Sequence, residues 1–420
     1  MIMLKFIREN ADKVRQNIIN KNEKTNIDEI LSLDEKRRSV IGEVDKLKNL
    51  RNTVSAEIAK LKKDKQDAEE KISAMKEVSD KIKSLDDELR TIEEKLDELV
   101  LYVPNIAHES VPIGKTAEDN AVIRTWGEPK KQAIKKDHVE IAKELGLIDF
   151  ERGAKVSGSG FYFYTGKGAA LERALINFML DFHISKHGYT EIYSPFIVNK
   201  ASMQGTGQIP KLAEDMYLAE KDELYLIPTA EVPLTNYYAN EILSIEQLPS
   251  KFCGYSPCFR REAGSYGKET RGLQRVHQFN KVELVKIVEP EKSYNELESL
   301  VIDVEEVLQA LDIPYRVILL CTGDTSFSSA KTYDIEVWSP ADEKWLEVSS
   351  CSNFESFQAR RAGIRYKPAP NEKPEFVHTL NGSGLATPRL MISLLENYIN
   401  ENGNIIIPDA LKPFLKFDKI

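Results

Sequence analysis

The chain has 420 residues, of which 30% are charged and 41% are hydrophobic, and its formal net charge is −9. This length suits two or three domains with sizeable cores, and the composition excludes a disordered chain and a membrane protein. No apolar run approaches the roughly 18 residues that span a bilayer, and the first residues form no secretory signal, so we expect a cytoplasmic protein.

The charge balance and the cysteines narrow the choice of partners. A net charge of −9 argues against unspecific coating of DNA, although it leaves room for a local basic stripe. The four cysteines show no C-x-x-C spacing and no matching His pairs. We therefore expect reduced thiols rather than a zinc knuckle or a disulfide framework.

Residues 34–100 are predicted to form an antiparallel coiled-coil arm. Their apolar residues recur at intervals of three and four, and a break at 62–67, where five of six residues are charged, separates two helices. About 33 residues per helix, at ~1.5 Å each, give an arm on the order of 50 Å long. The first half, 34–66, has ten Lys and Arg against six Asp and Glu, whereas 67–100 has six against twelve. The basic first helix could follow a phosphate backbone, or it could be ordinary solvated surface.

The remaining chain is predicted to hold a linker and one large domain. The linker, 104–129, is punctuated by Pro and Gly and follows an N-terminal domain over 1–103. The large domain, 130–420, contains a predicted helix over 168–186 that leads into a β-rich run with Pro195 near its end. We interpret this helix and strand as the seam of a dimer.

Thr229, Ala230 and Glu231 follow a predicted strand in the segment LYLIPTAEVP. A hydroxyl and a carboxylate at the end of a strand could receive a small substrate that carries an ammonium group. A capped helix start explains the same residues equally well.

The stretch 259–283 places Arg260 and Glu262 beside a Gly-rich basic loop between two segments that are predicted to be half-buried strands. Arg260 could bind a phosphate with two hydrogen bonds, and Glu262 could accept a hydrogen bond from an amine. The alternative is a surface hairpin with an exposed ion pair, which contributes little to stability.

A helix is predicted over 291–311, between strand-like segments at 279–288 and 315–320, and further strands are predicted at 333–338 and 345–351. The fold class is therefore expected to be α+β, with an antiparallel sheet and flanking helices. Neither a G-x-G-x-x-G after a strand nor a P-loop motif is present.

Two C-terminal segments carry groups that suit a nucleotide. Glu347 and Ser350 are three residues apart and offer two hard oxygen ligands for Mg²⁺. Further on, a predicted strand leads into a small-residue turn at 382–384 and then into a helix with Pro388 and Arg389 near its start, where a triphosphate could bind. The alternative is a helix N-terminus with an Arg in solvent.

Together these segments resemble the class II aminoacyl-tRNA synthetases. FRREAGSYGKETRGLQRVHQF is similar to motif 2 of that class, NGSGLATPRLMISLLENY is similar to motif 3, and the helix and strand before Pro195 resemble motif 1. Within the class, TAE at 229–231, EVSSCSN at 347–353, PNIAHESVPIG at 104–114 and the N-terminal hairpin resemble the seryl-tRNA synthetases of the ordinary type, which use no zinc. Two small departures are an extension, Met1-Ile2, and Arg261 at the variable middle position of motif 2.

The resemblance implies an antiparallel-sheet class II catalytic core behind an N-terminal antiparallel α-helical coiled-coil arm. It also implies an activity: L-serine reacts with ATP to give seryl-adenylate, and the seryl group then passes to the 3′ end of tRNA(Ser). The sequence leaves open whether tRNA(Sec) is a second acceptor. The resemblance further implies a homodimer, with no membrane and no DNA among its partners.

The family's functional residues carry over to matching positions. Arg260 would hold the α-phosphate and Arg389 the γ-phosphate of a bent ATP, both acting by positioning and charge neutralisation. Phe279 would stack under adenine, and Glu262 would contact its amino group. The other implied ATP-binding residues are Arg261, Val276, Glu347, Val348, Ser349 and Ser350, of which Glu347 and Ser350 would anchor Mg²⁺. The implied serine-binding residues are Thr229, Ala230, Glu231, Arg260, Glu283 and Ser383. The loop 264–275 would approach the acceptor end of the tRNA, and the arm would contact its long variable arm and elbow.

Two other functions compete with this one. A serine ligase that acts on a carrier protein would share the adenylating core, but such relatives lack the long arm. A catalytically inactive scaffold would use the coiled coil to bind partners, which the intact arginines and the serine-pocket residues argue against.

Overall fold

A computed structural model describes residues 1–263 and 271–420. The chain divides into two compact units, which comprise Met1–Ile19 with Glu23–Pro104 and Asn20–Asn22 with Asn105–Ile420. In the described part of the chain, no helix combines the length and the apolar character that a bilayer crossing requires.

The first unit is built from helices. They are α1 (Leu4–Glu9), α2 (Ala11–Asn20), α3 (Ile27–Lys63) and α4 (Glu69–Val100). The side chain of Asn26 caps α3 by accepting a hydrogen bond from the Glu29 N–H, and three lysines in the last turn favour its C-terminal dipole. The predicted break at 62–67 is confirmed, while α3 begins seven residues earlier than the predicted arm.

Helices α3 and α4 pack as an antiparallel hairpin. Their apolar seam is buried at Val44 and Ile82 but becomes half-buried at Ile58, and Ile72 is exposed. Interhelical ion pairs flank the seam, including Lys36–Glu88 at 2.7 Å, Lys95–Glu29 at 2.6 Å and Lys48–Asp86 at 3.2 Å. Part of the positive charge of α3 is therefore neutralised within the arm. Four other lysines of α3 have exposed side chains: Lys46, Lys60, Lys62 and Lys63.

The second unit is built around a mainly antiparallel sheet. Its eight strands, in spatial order, are β1 (Ala121–Trp126), β11 (Tyr315–Leu319), β12 (Lys331–Ser339), β13 (Lys344–Asn353), β16 (His378–Ala386), β10 (Gln278–Val288), β9 (Ser250–Phe259) and β4 (Thr190–Glu191). Only β4, at the edge, pairs in parallel among these described strands. The prediction of an antiparallel sheet is confirmed, and β1 lies inside the predicted linker.

Shorter strands and eight helices of the described residues complete this unit. The strands are β2 (Ile148–Asp149), β3 (Phe163–Tyr164), β5 (Ile197–Asn199), β6 (Leu218–Ala219), β7 (Leu224–Leu226), β8 (Ile242–Ser244), β14 (Arg365–Lys367) and β15 (Glu375–Phe376). The helices are α5 (His138–Glu144), α6 (Phe150–Ser157), α7 (Gly166–His187), α8 (Lys200–Thr206), α9 (Glu231–Thr235), α10 (Ser293–Ala310), α11 (Phe357–Ala362) and α12 (Thr387–Tyr398).

Strand β10 is buried on both faces, so the prediction of a half-buried strand here is wrong. Val282 and Leu284 pack into the main core with residues of α7, α10 and α12. Val285 and Ile287 pack into a second cluster with residues of α9 and α11. Helices cover both sides of this central strand, which explains why apolar residues of its second half occur at both odd and even positions.

The predicted small-residue turn at 382–384 is also wrong, because these residues lie inside β16. Their small size serves close packing instead. A Cβ on Gly384 would lie 2.8 Å from His183 Nε2, and a Cβ on Gly382 would lie 3.0 Å from Cys351 Sγ. The strand continues to Ala386, and α12 begins directly after it.

Candidate active site

Strand β10 presents a row of polar and aromatic side chains in the middle of the large sheet. Phe279, Lys281 and Glu283 occupy alternate positions, and the register with β9 is continuous from Gln278 to Ile287. Side chains two residues apart on a strand point to the same side. Lys281 and Glu283 form an ion pair accordingly.

Around Glu283 lies a small cluster of hydrogen-bonded polar side chains, most of them buried, which we call the chamber. Its Oε2 accepts a hydrogen bond from Thr229 Oγ1 at 3.1 Å, and its Oε1 accepts one from Asn381 Nδ2 at 3.1 Å. Lys281 Nζ donates to Ser383 Oγ at 3.3 Å. Except for Asn381, these side chains are buried. The chamber therefore joins residues from β10, from β16 and from the segment before α9.

Local structure explains why Thr229 reaches this chamber. The Phe259 N–H donates to Ile227 O at 2.9 Å, which holds the segment before α9 against the end of β9. Thr229 Oγ1 also accepts from the Glu231 N–H at 3.1 Å and so stabilises the first turn of α9. Both sequence interpretations of Thr229 thus describe one hydroxyl, which supports the helix start and faces a carboxylate.

Glu231 is a buried carboxyl whose proton is held unusually tightly. Burial, followed by the nearby charge of Glu283, raises its pKa to about 7, against the lowering effects of Gln358, Lys281 and Arg260. Gln358 Nε2 donates to Glu231 Oε1 at 2.7 Å. A cation placed beside Glu231 would favour its ionised form, so this carboxyl is suited to an ammonium group.

Sequence reasoning missed three residues that line or support the chamber: Lys281, Asn381 and Gln358. A signal for Lys281 was present, because it alternates with Phe279 and Glu283 along one strand. No comparable local signal marks Gln358, which reaches Glu231 from α11 across 127 residues of chain. Ala230, which was predicted to bind serine, packs its side chain in the second core cluster.

Arg260 and Phe279 are brought together next to the chamber. The Arg260 guanidinium lies 5.2 Å from the centroid of the Phe279 ring, and Arg260 Nε donates to Pro228 O at 3.4 Å. The Arg260 backbone N–H donates to His277 O at 2.9 Å. A cation and an aromatic ring therefore lie at the edge of the polar chamber, where the phosphate and base of a nucleotide would meet it.

The other predicted residues of this hairpin have different environments. Glu262 forms an ion pair with Arg275 at 3.0 Å, as in the alternative interpretation of this hairpin. Each side chain of the pair is, however, less than one-third exposed. Arg261 is exposed, and its backbone N–H donates to Asp215 O at 2.9 Å. Val276 is buried.

Arg389 lies in the first turn of α12 and reaches β13. Its Nη1 donates to Glu347 O at 2.9 Å and lies 3.4 Å from Glu347 Oε2, while its Nε donates to Gln274 O at 3.3 Å. The Arg389 side chain therefore contacts the protein, whereas the alternative interpretation required it to extend freely into solvent. Ser349 Oγ donates to Ser383 O at 2.6 Å, whereas Val348 packs in the main core and has only its backbone to offer a ligand.

Glu347 and Ser350 both lie on β13, and both interact with Asp334 of the neighbouring strand β12. Ser350 pairs across the sheet with Asp334, whose buried Oδ1 has no hydrogen-bond partner of good geometry among the described residues, although the Ser350 hydroxyl interacts with the carboxyl group. Burial, together with the charge of Glu347, raises the pKa of Asp334 well above its ordinary value. The described residues contain no group of three His, Cys, Asp or Glu that could hold a metal. Glu347 and Ser350 offer oxygen atoms of the hard type that Mg²⁺ prefers as ligands.

The loop predicted to approach the acceptor end of tRNA, 264–275, lies largely outside the described residues, which resume at Arg271. From there Arg271 forms an ion pair with Asp137 at 2.7 Å. The Leu273 N–H donates to His138 Nε2 at 3.1 Å, which fixes the return of the chain toward β10.

Comparisons with known proteins agree with this geometry. The family described as "Seryl-tRNA synthetase N-terminal domain" matches residues 1–107, and the "tRNA synthetase class II core domain (G, H, P, S and T)" matches residues 215–398. A Serine–tRNA ligase from a Geobacillus species is 59% identical over 99% of this chain and 98% of its own length.

Solved structures give the same result. The crystal structure of seryl-tRNA synthetase from Pyrococcus horikoshii, complexed with ATP, is 39% identical with a TM-score of 0.94, covering 100% of this chain and 99% of that one. The cytoplasmic Serine–tRNA ligase from Naegleria fowleri, in complex with AMP, is 29% identical with a TM-score of 0.87 over the same shares. The full-length identity, the shared fold and the assembled motif residues together show that this chain belongs to the seryl-tRNA synthetase family of class II aminoacyl-tRNA synthetases.

Proposed function

We propose that this chain activates L-serine with ATP and transfers the seryl group to the 3′ end of tRNA(Ser). The carboxylate of serine attacks the α-phosphorus, pyrophosphate leaves, and seryl-adenylate remains. A terminal ribose hydroxyl of the tRNA then attacks the seryl carbonyl, and AMP leaves. The observation that carries this proposal is the buried chamber around Glu283, which lies beside the Arg260 guanidinium.

Serine recognition would divide between two carboxyls. Glu231 and Thr229 receive the ammonium group, because Glu231 is poised to lose its proton when a cation arrives. Glu283 and Ser383 close the chamber around the hydroxyl, and Lys281 keeps Glu283 paired. A site that hydrogen-bonds a hydroxyl rejects alanine because its buried groups would lose a partner, and a small site rejects threonine because the methyl finds no room.

ATP would bind at the opposite side of the chamber. Arg260 contacts the α-phosphate, Arg389 contacts the γ-phosphate, Phe279 supports the adenine, and Glu262 exchanges its Arg275 partner for the adenine amino group. Glu347 and Ser350 would hold Mg²⁺, which when bound neutralises phosphate charge. The protein's own contribution is to position both substrates and to place cations where charge develops.

The acceptor and the oligomeric state belong to the same proposal. The arm formed by α3 and α4 carries exposed lysines that suit a tRNA backbone, with tRNA(Sec) as a further candidate acceptor. We place the homodimer contact on the face of α7 and β4, where Tyr193 is 78% exposed. We propose that the protein acts in the cytoplasm, because this role belongs to translation.

The direct test is ATP–pyrophosphate exchange by the purified protein with serine, alanine, threonine or glycine. We expect exchange with serine at least about 100-fold above each of the other three, on the scale that hydrogen-bonding and size selection provide. Exchange with none of the four would overturn the proposal and favour the inactive scaffold. Exchange followed by transfer to a carrier thiol, with no charged tRNA, would favour the carrier-protein ligase.

The affinity for serine should fall as the pH falls below 7. The pKa of Glu231 is raised to about 7, so below that pH the carboxyl is protonated and offers no charge to the ammonium group, which stays charged throughout. Binding that requires the ionised form should weaken about tenfold between pH 8 and pH 6.

The measurement is the KM for serine at saturating ATP across pH 5.5–8.5. Glu231→Gln serves as the control, because it keeps an acceptor for Gln358 but cannot ionise. This variant should bind serine weakly with a flat pH profile. A wild-type KM that stays constant over this range would remove Glu231 from the ammonium site.

A further inference from the structure

Glu172 is a buried carboxyl of α7 that has no role in the serine and ATP contacts proposed above. It is 5% exposed and lines a cavity of about 460 Å³, together with Tyr255 and Asn280. Its Oε2 has no hydrogen-bond partner of good geometry among the described residues, although the Tyr164 hydroxyl interacts with the carboxyl group. Burial of a carboxyl carries an energetic cost, so a specific role is expected.

The other oxygen of Glu172 joins two separate elements. Glu172 Oε1 accepts a hydrogen bond from Asn280 Nδ2 at 2.8 Å and another from Thr387 Oγ1 at 2.6 Å. Asn280 Oδ1 in turn accepts from the Tyr255 hydroxyl at 3.0 Å, and Thr387 Oγ1 lies 3.1 Å from Asn280 O. One carboxylate oxygen thus connects α7, β10 and α12.

Both residues that Glu172 holds are neighbours of the nucleotide residues. Asn280 lies between Phe279 and Lys281, and successive residues of a strand point to opposite sides. Fixing Asn280 on the α7 side therefore fixes the strand orientation that points Phe279 toward the site. Thr387 is the first residue of α12 and lies two residues before Arg389, so the same carboxyl anchors the helix start that carries this arginine.

We propose that Glu172 is a positioning residue for ATP, which sets the Phe279 ring and the Arg389 guanidinium at the separation that one nucleotide requires. It touches neither substrate. Its effect should therefore be larger in the binding of ATP than in the binding of serine, because Asn280 and Thr387 lead to two nucleotide residues, Phe279 and Arg389, whereas Lys281 alone leads to the serine chamber. This inference rests on the proposed function only for the identity of the nucleotide.

Two substitutions of similar volume separate positioning from packing. Glu172→Gln keeps an oxygen that accepts from Asn280 and Thr387, whereas Glu172→Met keeps the volume but removes the acceptor. We expect Glu172→Met to raise both the KM for ATP in exchange and the calorimetric Kd for ATP alone by about tenfold or more, with the KM for serine within about twofold. Glu172→Gln should restore both ATP constants to within about threefold of wild type.

Three further measurements make the outcome decisive. Glu305→Gln alters another buried helical carboxyl of this unit, which accepts from Arg124 and Tyr315, and it should leave ATP binding unchanged. Thr387→Val removes one donor and should raise the Kd for ATP by itself, which keeps the test valid if Glu172→Met does not fold. In combination with Glu172→Met it should add less than it does alone, because both changes remove the bond between Glu172 and Thr387 and only the contact of Thr387 Oγ1 with Asn280 O remains to be lost.

If Glu172→Gln and Glu172→Met weakened ATP binding equally, the positioning role would be overturned. A rise of the KM for serine in parallel with the KM for ATP would overturn it as well. Because ATP binding is read by calorimetry without the reaction, failure of this inference is distinguishable from failure of the proposed activity. A wild-type protein that binds ATP but exchanges with no amino acid would contradict the activity alone.

Discussion

Arg260→Ala should lower serine-dependent ATP–pyrophosphate exchange by about 10³-fold or more, because an arginine that stabilises the transition-state charge of phosphoryl transfer contributes about 10³ to 10⁵ to kcat. The guanidinium lies between the serine chamber and the Phe279 ring, where it would meet the phosphate that serine attacks. Loss of this cation leaves the developing charge on the phosphoryl oxygens uncompensated in a partly buried site. The measurement is the exchange rate at saturating serine and ATP.

The same sheet offers a matched control for Arg260. Arg316, on β11, lies 5.2 Å from the Trp345 ring centroid, the same separation as that between Arg260 and Phe279, and it pairs with Glu336. Arg316→Ala therefore removes an arginine stacked on an aromatic ring without touching the chamber, and its exchange rate should stay within about threefold of wild type. Arg260→Lys should fall between wild type and Arg260→Ala, because it keeps the charge but loses the planar fork. Near-normal exchange by Arg260→Ala would remove Arg260 from the site.

The chamber balances charge in a way that suits an amino acid. Lys281 pairs with Glu283, whereas Glu231 forms no ion pair with a lysine or arginine of the described residues and accepts instead from the neutral Gln358. Burial and Glu283 raise its pKa to about 7. An incoming ammonium group would supply the missing positive charge, and the serine carboxylate would then extend toward Arg260. A neutral analogue without the ammonium group would not favour the ionised form of Glu231 and would gain no ionic contact.

The sequence predicted the parts of this fold that depend on local spacing. Heptads and a charged break predicted the hairpin of α3 and α4, and β-rich runs predicted β11, β12 and β13. Two errors arose because packing outweighed local propensity. Gly382 and Gly384 have the composition of a turn, but they are small because Cys351 and His183 pack against them within β16. Strand β10 was expected to alternate, but it is covered by helices on both faces.

Only those residues of the candidate site that lie in recognisable motifs could be predicted from the sequence. Arg260, Glu283, Glu347 and Arg389 come from recognisable segments, and the structure brings them to the same group of central strands. Glu172 reaches Thr387 across 215 residues of chain, and no local pattern distinguishes it from an ordinary surface Glu of an amphipathic helix. Pairings of this kind follow from the folded topology and have no signature in the sequence near either partner.

Shortening the arm should abolish tRNA charging and leave serine activation intact. Deletion of 49–80, closed by a Gly-Ser linker between Lys48 and Lys81, removes the outer part of the hairpin. It retains the ion pairs Lys36–Glu88 and Lys95–Glu29 near the base of the hairpin, together with the buried residues near them. The outer part includes the exposed Lys60, Lys62 and Lys63, which suit a phosphate backbone. We expect exchange within about twofold of wild type and charging reduced by about 100-fold or more.

The ionic strength separates loss of tRNA contacts from general damage. Each phosphate contact releases counterions, so the wild-type KM for tRNA should rise steeply with salt, whereas the KM for serine, whose chamber is buried, should change little. The shortened protein should show high KM for tRNA with a shallower salt slope, because fewer phosphates remain in contact. Equal loss of exchange and charging, with a lowered melting temperature, would instead indicate a damaged catalytic unit. Charging that survives the deletion would show that the acceptor is recognised without the outer arm, and the lysines of α3 would then be solvated surface.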